Sequence, residues 1–499
     1  VEHVAETAVA ETAVAETAVS ETAVSEALSL DRPSLNRLKL QPTPLRMPTH
    51  TIKKGFDLRL AGAAAFTLGT APEPATVVLE TAEFPGIKPK VLVKEGDPVV
   101  TGQPVFLDKQ NRDLVWCSPT TGTVAKLEFG ERRFLLRMTI DNAVAKGGAE
   151  QFADLGKPLA EVAKSLDRAG LVAAIQRAGL WPLIRQRPVG KMANGQREPV
   201  AIFVNGMDTA PLAADPVFAV QGRKADLQAG VEILRRLTAG KVYLTLREGG
   251  DHQSEVRDLA GVEVHDFRGP HPSGLVGTHV SQIRPLRPGE VCWTLRLQDL
   301  ARLGAFARTG RYPASTVVAL SGSAAPARQY YKIRQSAALG ALGKFIGDLR
   351  IIDGTVLHGT VRPADGTLGY FTGTVTVIPE GTGRRDLFGW AMPGFGKLSR
   401  SRSVLGWLLP KREYEVDARL HGGHRPIVNL GAWESVMPLD IHPAYLVRAI
   451  QANDIEEAVK LGLLEVTEED VALCTFVDPC KIDVGSIIRQ GLDLFEKEG

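Results

Sequence analysis

Cysteine is scarce, with four residues in 499, at positions 117, 292, 474 and 480. Their scatter excludes a disulfide framework and fits a reducing compartment. Long hydrophobic runs are missing as well. The most apolar cluster, Val404-Leu405-Gly406-Trp407-Leu408-Leu409, is six residues long, far short of the ~20 that cross a bilayer as a helix. There is little net charge, +2 over the whole chain. With the six glutamates of the first thirty positions set aside, 59 basic residues face 51 acidic ones. That mild, unclustered excess excludes a nucleic-acid footprint.

The usual catalytic and nucleotide signatures are absent too. No G-x-G-x-x-G opens a helix, which removes the ordinary dinucleotide fingerprint. Gly343-Lys344 and Gly396-Lys397 lack the glycine five positions earlier that a phosphate loop requires. No nucleophile elbow is present. Cys474 and Cys480 are too few for an iron–sulfur cluster, which takes about four thiolates. His421-Gly422-Gly423-His424 has no further metal ligand nearby and reads as a polar turn.

What is present is a globular composition, 44% hydrophobic and 23% charged, with room for three or four domains. Residues 4–28 repeat VAETA three times, then VSETA and VSEAL. A five-residue step turns about 140° on a helix, so no face collects the valines and no stripe can be buried. Residues 1–48 are expected to be a low-complexity, disordered extension. Met47, directly before well-patterned sequence, is a candidate start.

From Thr51 to Ile140 short strands alternate with Gly and Pro turns, as in GDPVVTGQPVF and SPTTGTVAKLEFG. This spacing resembles the barrel-sandwich hybrid of biotinyl and lipoyl domains. Lys109 lies near the tip where a carrier lysine would sit, but in Asp-Lys-Gln, so a docking module is expected. Helical periodicity spans 159–180. Strands at 200–205, 241–247, 262–267, 291–295 and 316–321 then alternate with helices at 225–239 and 298–309. That alternation predicts a parallel, Rossmann-like sheet. Strands are expected at 349–352, 355–358 and 372–378, and helices at 444–451, 454–461, 468–475 and 486–497. The expected architecture is α/β multidomain. Its parts are a barrel-sandwich-like β domain (49–145), a Rossmann-like α/β domain (146–325), a small β-rich domain (326–435) and a helical domain (436–499).

The stretch FRGPHPSGLVGTHV (267–280) is the richest corner. Its glycines and prolines permit a tight turn and close approach between a strand and a helix, a frequent ligand position. His265, His271 and His279 fall within fifteen residues, yet no Cys or carboxylate joins them at ligand spacing, and no metal is expected.

Six segments carry a resemblance: IKKGFDLRLAG (52–62), NGMDTAPLAADP (205–216), the 267–280 corner, LFGWAMPG (387–394), VMPLDIHP (436–443) and CTFVDPCK (474–481). From Thr51 to Gly499 the chain resembles the A subunit of the sodium-translocating NADH:quinone oxidoreductase. It is also similar to the C subunit of Rnf complexes and to the flavin-bearing subunit of respiratory complex I. Those relatives carry a glycine-rich flavin loop, an Asn-x-x-acid-x-x-Pro segment, a ubiquitin-like (SLBB-type) β unit and a helical cluster domain.

Here the loop position reads Gln176-Arg177-Ala178-Gly179-Leu180-Trp181, with bulky residues where small ones would admit a flavin. The Asn205, Asp208, Pro211, Asp215 skeleton remains. The family's usual CTFVCPGK appears with Asp478 and Cys480 changed. The resemblance implies a peripheral subunit on the cytoplasmic face of the bacterial inner membrane. It would assemble with five other subunits, chiefly the membrane B subunit, and bind no cofactor itself. NADH, FAD, FMN, riboflavin and iron–sulfur centres would be handled on other subunits, and ubiquinone could contact this one. By residue type His271, His279, Trp390 and Met392 are quinone-binding candidates. The alternative is a purely structural scaffold with no ligand. A truncation beginning at Met47 is expected to keep the melting temperature of the full chain and its incorporation into a complex. Loss of either would mean the extension packs.

Overall fold

The computed structural model describes residues 47–382, 392–400, 402–409, 411–427 and 431–498. Its central layer grows from the run Ala201–Asn205, AIFVN, which is apolar at consecutive positions. A strand can be apolar on both sides only if both faces are covered, and both are. Ile202 and Val204 pack in the core that includes Leu227, Val231, Leu300 and Leu303. Ala201 and Phe203 pack against Val276, Val280 and Ile283. The covering helices are Lys224–Leu234, Leu297–Thr309 and, on the second face, Val276–Ile283.

The sheet has seven strands in the order Thr49–Thr51, Glu263–Arg268, Lys241–Arg247, Ala201–Asn205, Cys292–Arg296, Arg185–Arg187, Lys191–Met192. The first five are mutually parallel; Arg185–Arg187 pairs antiparallel with Cys292–Arg296 and with Lys191–Met192. Its four middle strands run third, second, first, fourth along the chain. Strand order therefore reverses between Ala201–Asn205 and Cys292–Arg296, the switch point of a doubly wound sheet. Met47 and Pro48 belong to this layer. The Pro48 carbonyl accepts from Asp266 N at 2.9 Å, and Met47 packs against the main core.

The segment 76–142 forms a four-stranded sheet (Thr76–Glu80, Leu135–Asn142, Gly122–Phe129, Pro98–Val99). Beside it lies a three-stranded one (Pro89–Val91, Pro104–Asp108, Val115–Cys117). Both feed side chains into one core, where Phe106 stacks on Trp116 at 5.0 Å. A fourth, mixed sheet of six strands differs from the sequence expectation. Ser315–Ser321 does not join the parallel layer; it pairs with Thr374–Pro379 and Gln329–Arg334. Ala65–Thr70 closes that sheet's far edge. Residues 355–358, expected as a strand, turn instead, with Thr355 N donating to His358 O at 2.9 Å, and the strand begins at Gly359.

The helical periodicity of 159–180 is interrupted at Asp167, whose carboxylate caps the helix Arg168–Arg177 by accepting from Gly170 N at 2.7 Å. The C-terminal helices are Pro443–Gln451, Ile455–Lys460, Ala472–Val477 and Val484–Glu498. They bury an apolar core of their own, joined by Leu58 and Leu60 from the start of the fold. The third helix begins later than its periodicity predicts. The Asp470 carboxylate holds the preceding turn by accepting from Thr467 N (2.9 Å) and Thr467 Oγ1 (3.0 Å).

Helices Lys224–Leu234 and Leu297–Thr309 cross where glycine faces backbone. A Cβ on Gly304 would lie 1.7 Å from Asp226 O, and one on Gly230 would lie 2.6 Å from Leu300 O. Gly304→Ala must therefore push the helices apart, and is expected to destabilise the chain by about 3 kcal/mol or more. Gly340→Ala, where a Cβ meets nothing within 4 Å, is the control and should stay within ~0.5 kcal/mol. Urea unfolding of both variants checks this.

Candidate functional site

The corner between strand Glu263–Arg268 and helix Val276–Ile283 uses its glycines against the protein's own chain. A Cβ on Gly269 would stand 2.2 Å from Ile52 O, one on Gly274 2.6 Å from Thr209 N, and one on Gly277 2.2 Å from Asp470 Oδ1. From the opposite side, a Cβ on Gly55 would meet His271 O at 2.1 Å. Hydrogen bonds close the seam: Ile52 N to Arg268 O (2.8 Å), Phe56 N to His271 O (2.9 Å), and His271 N to the Asp57 carboxylate (2.8 Å). Close approach was legible in the sequence; what approaches was not.

The two candidate histidines of this corner are both buried and have different surroundings. For His279, the Ser273 carbonyl can only accept, so Nε2 carries the proton across 2.9 Å. Its Nδ1 then accepts from the Thr245 hydroxyl at 2.9 Å. Both ring nitrogens are engaged, and the ring packs on Phe267 at 4.3 Å. For His271, Nδ1 lies 3.1 Å from Thr209 Oγ1, which also accepts from Gly274 N at 2.9 Å. Its Nε2 is buried without a protein partner among the described residues.

His265 turns elsewhere, to His50 Nε2 (3.0 Å) and Glu263 (3.1 Å). Among the described residues no group of three or more His, Cys, Asp or Glu is placed to hold a metal. Trp390 lies outside the described residues. Met392 is 61% exposed, and of the three described candidates His271, in the loop, and His279, in the helix that follows, belong to this corner.

Sequence reasoning missed Arg187. Its guanidinium, buried in the sheet's antiparallel edge, pairs with Asp470 at 2.7 Å and donates to Thr467 Oγ1 at 3.0 Å. The partner is 283 positions away, and no local pattern announces such a contact. Asp470 Oδ1 remains unpaired beside Gly277. In the loop Gln176–Trp181, Leu180 and Trp181 are fully buried. Trp181 donates from Nε1 to Ala193 O at 2.7 Å and meets Trp293 edge-on at 5.3 Å. A Cβ on Gly179 would strike Cys117 Sγ at 2.7 Å, and Tyr370 donates to Gly179 O at 3.0 Å. Side chains fill this loop's surroundings. Cys474 and Cys480 are buried free thiols, and burial raises the Cys474 pKa.

An open cavity of about 510 Å³ lies beside the corner, at the carboxyl ends of strands Ala201–Asn205 and Lys241–Arg247. Asp208 and Thr209 line it together with Arg59, Arg247 and Lys411. Burial pushes the Asp208 carboxyl above its ordinary value.

A β module followed by a doubly wound α/β layer, with side chains filling its loops, defines a multidomain α/β protein of the barrel-sandwich and Rossmann-like type. Family models agree. Residues 50–143 match the NqrA N-terminal barrel-sandwich hybrid domain, and 166–312 match the NqrA second alpha/beta domain. The A subunit of the Na(+)-translocating NADH-quinone reductase of Neisseria meningitidis serogroup C is 37% identical, over 90% of this chain and 99% of that one. The corresponding proteins of Serratia proteamaculans (38% identical; 90% and 99% covered) and Rhodopirellula baltica (36%; 90% and 98%) are similar in the same way. The chain belongs to the NqrA family, the A subunits of the Na(+)-translocating NADH-quinone reductase. A solved NAD+-reducing [NiFe]-hydrogenase chain aligns over 86% of this chain and 84% of its own at 12% identity. Its TM-score of 0.36 is too low to carry an argument.

Burial holds His271 and His279 neutral, each lowered from 6.5 to about 3, with His358 adding to the effect at His271. Unfolded, both rings take up protons near pH 6.5. Their burial therefore costs nothing in proton uptake above that pH. Each ring destabilises the fold by about 1.4 kcal/mol per pH unit as pH falls from about 6.5 towards 3. Glu83, pushed up to about 7 by burial, acts in the opposite sense over part of that range, so the comparison has to be made between variants. The unfolding free energy of the parent chain minus that of His279→Gln is expected to fall by about 1.4 kcal/mol per pH unit between pH 6 and 5. A difference independent of pH would mean His279 is not buried neutral.

Proposed function

We propose that this chain is the peripheral subunit of a six-subunit membrane complex that oxidises NADH, reduces ubiquinone and exports sodium ions, seated on the membrane B subunit at the cytoplasmic face. The observation that carries this reading is the 37% identity extending over 99% of an NqrA relative. Among the described residues no helix is long and apolar enough to cross a membrane. On this reading the chain performs no chemistry alone. Flavins and iron–sulfur centres belong to its partners, an assignment supported by the side chains packed around Gly179 and Trp181. The β unit around Leu349–Gly354 and Thr374–Pro379 is taken as the ubiquitin-like, SLBB-type element.

If quinone contacts this subunit, His271 is the better-placed donor or acceptor of the corner pair, because its Nε2 is unused while both His279 nitrogens are engaged. Met392, and Trp390 beside it in sequence, fit a docking role better. Met392, Phe395 (48% exposed) and Trp407 (43%) stand out from a lobe tied together by Leu405 N donating to Pro393 O at 2.8 Å. Arg402 stacks on Trp407 at 5.0 Å. Exposed aromatic and thioether groups with a basic rim suit an interface core beside a membrane.

The test is complementation of a strain lacking the subunit. The full chain should restore sodium-dependent NADH:quinone reductase activity to membranes, and failure to do so would refute the proposed function. Phe395→Ala with Trp407→Ala should lower subunit recovery in the complex about ten-fold while costing the isolated chain under ~1 kcal/mol. A loss of about 3–5 kcal/mol in the isolated chain would place these side chains in a core instead.

A further inference from the structure

The lining of the 510 Å³ cavity does not include the corner histidines, and it points to different chemistry. Three cationic residues, all exposed, line it from segments remote in sequence: Arg59, Arg247 and Lys411. The walls are fixed to one another by backbone, with Tyr414 N donating to Arg59 O at 2.9 Å and Ala61 N to Tyr414 O at 3.0 Å. Arg247 spends one N–H on Asp208 O at 3.1 Å. The side chains of Arg59 and Lys411 have no hydrogen-bond or ion-pair partner among the described residues.

The lining also holds two carboxylates, Asp208 and Glu413. Asp208 is already engaged, its Oδ1 accepting from Ala210 N at 2.8 Å. The apolar part of the lining is Leu58, Leu60 and Leu212 with Ala63, Ala210 and Ala213. Leu212 holds a left-handed backbone at φ +61°, a conformation that costs a bulky L-residue free energy and is concentrated at binding sites.

Position adds to composition. The cavity opens at the carboxyl ends of two parallel strands beside the point where strand order reverses, which is where doubly wound sheets hold ligands. Its volume lies within the range of small-molecule sites. Three cations around one opening repel one another, and an anion between them relieves that repulsion through charge-assisted hydrogen bonds. A neutral quinone offers these three exposed cations no charged partner.

We propose that this cavity binds a small organic anion, gripped at a phosphate or carboxylate oxyanion by Arg59, Arg247 and Lys411, with its body against Leu58, Leu60 and Leu212. Titration calorimetry on the full chain tests it with AMP, inorganic phosphate and citrate as probes and adenosine as the uncharged control. Saturable binding of AMP or citrate is expected, weakening with salt and absent for adenosine. The relative strength of AMP and citrate identifies which oxyanion is preferred.

Arg59→Ala with Lys411→Ala should weaken binding about ten-fold or more. Glu413→Gln removes a repelling charge and should tighten it, a gain that a damaged fold would not produce. The proposal is overturned if none of the three anions binds at up to about 10 mM, the weak limit of useful recognition. Binding of adenosine as tight as that of AMP, or affinities indifferent to both sets of substitutions, would overturn it equally. Complementation by the full chain does not depend on any of these outcomes, so this proposal and the functional one fail separately.

Discussion

Backbone meets backbone at Gly55, Gly269 and Gly274, at distances that no Cβ could tolerate, and much of the molecule is arranged around that seam. The strand Thr49–Thr51 can lie on the sheet edge because the chain after it runs tight against Arg268 and His271. The loop 205–213 can fold back over the strand ends because Gly274 yields space to Thr209. The C-terminal helices reach the same place through Asp470, which sits where a side chain on Gly277 would be. Dispersion and hydrogen bonding at such short range reward only one arrangement, so the seam fixes register between segments that local propensity cannot connect.

Buried charge does the long-range joining. Arg187 ties the antiparallel edge of the central sheet to Asp470 ahead of the C-terminal helices. Arg334, at the end of a mixed-sheet strand, donates to Glu73 (2.6 Å), Glu150 (2.8 Å) and the Pro119 carbonyl (2.9 Å), and so holds the loops of the β module. Such pairs contribute little net stability, because desolvating the ions offsets most of their attraction. Their effect is on specificity. A misdocked sheet would strand a guanidinium in an apolar setting, and that costs several kcal/mol. Adjacent layers of this chain are thus kept in register by penalties against the alternatives as much as by apolar contact.

What could be foreseen follows from the same division. The strands Ala201–Asn205 and Lys241–Arg247 and the helix Leu297–Thr309 were legible because burial on a face or on both faces writes a local apolar pattern. Thr49–Thr51 was not, since a three-residue edge strand of Thr-His-Thr has no pattern and owes its existence to a partner more than two hundred positions away. Ser315–Ser321 was recognised as a strand but set in the wrong sheet, because alternation with helices cannot say which neighbour a strand will find. At the corner, glycine content announced close packing, and the sequence showed that His271 and His279 fall close together along the chain. The partner segments, the engaged state of His279 and the unpaired Nε2 of His271 depend on contacts with Thr209 and Thr245 that leave no trace near 267–280.

The filling of the 176–181 loop changes where this fold can still hold a ligand. Doubly wound sheets leave room at the switch point by placing small residues in the first loops, whereas here Leu180 and Trp181 pack against the chain. Open volume remains at the carboxyl ends of Ala201–Asn205 and Lys241–Arg247, between walls drawn from residues 58–63, 208–213 and 247, and from 411–413. A ligand that bridged these walls would add its binding free energy to their mutual packing. The wall at Lys411 is continuous in sequence with Trp407, only four positions earlier. Were a ligand to favour one position of that wall, reciprocity would require it to bind more tightly whenever the lobe was held in that position.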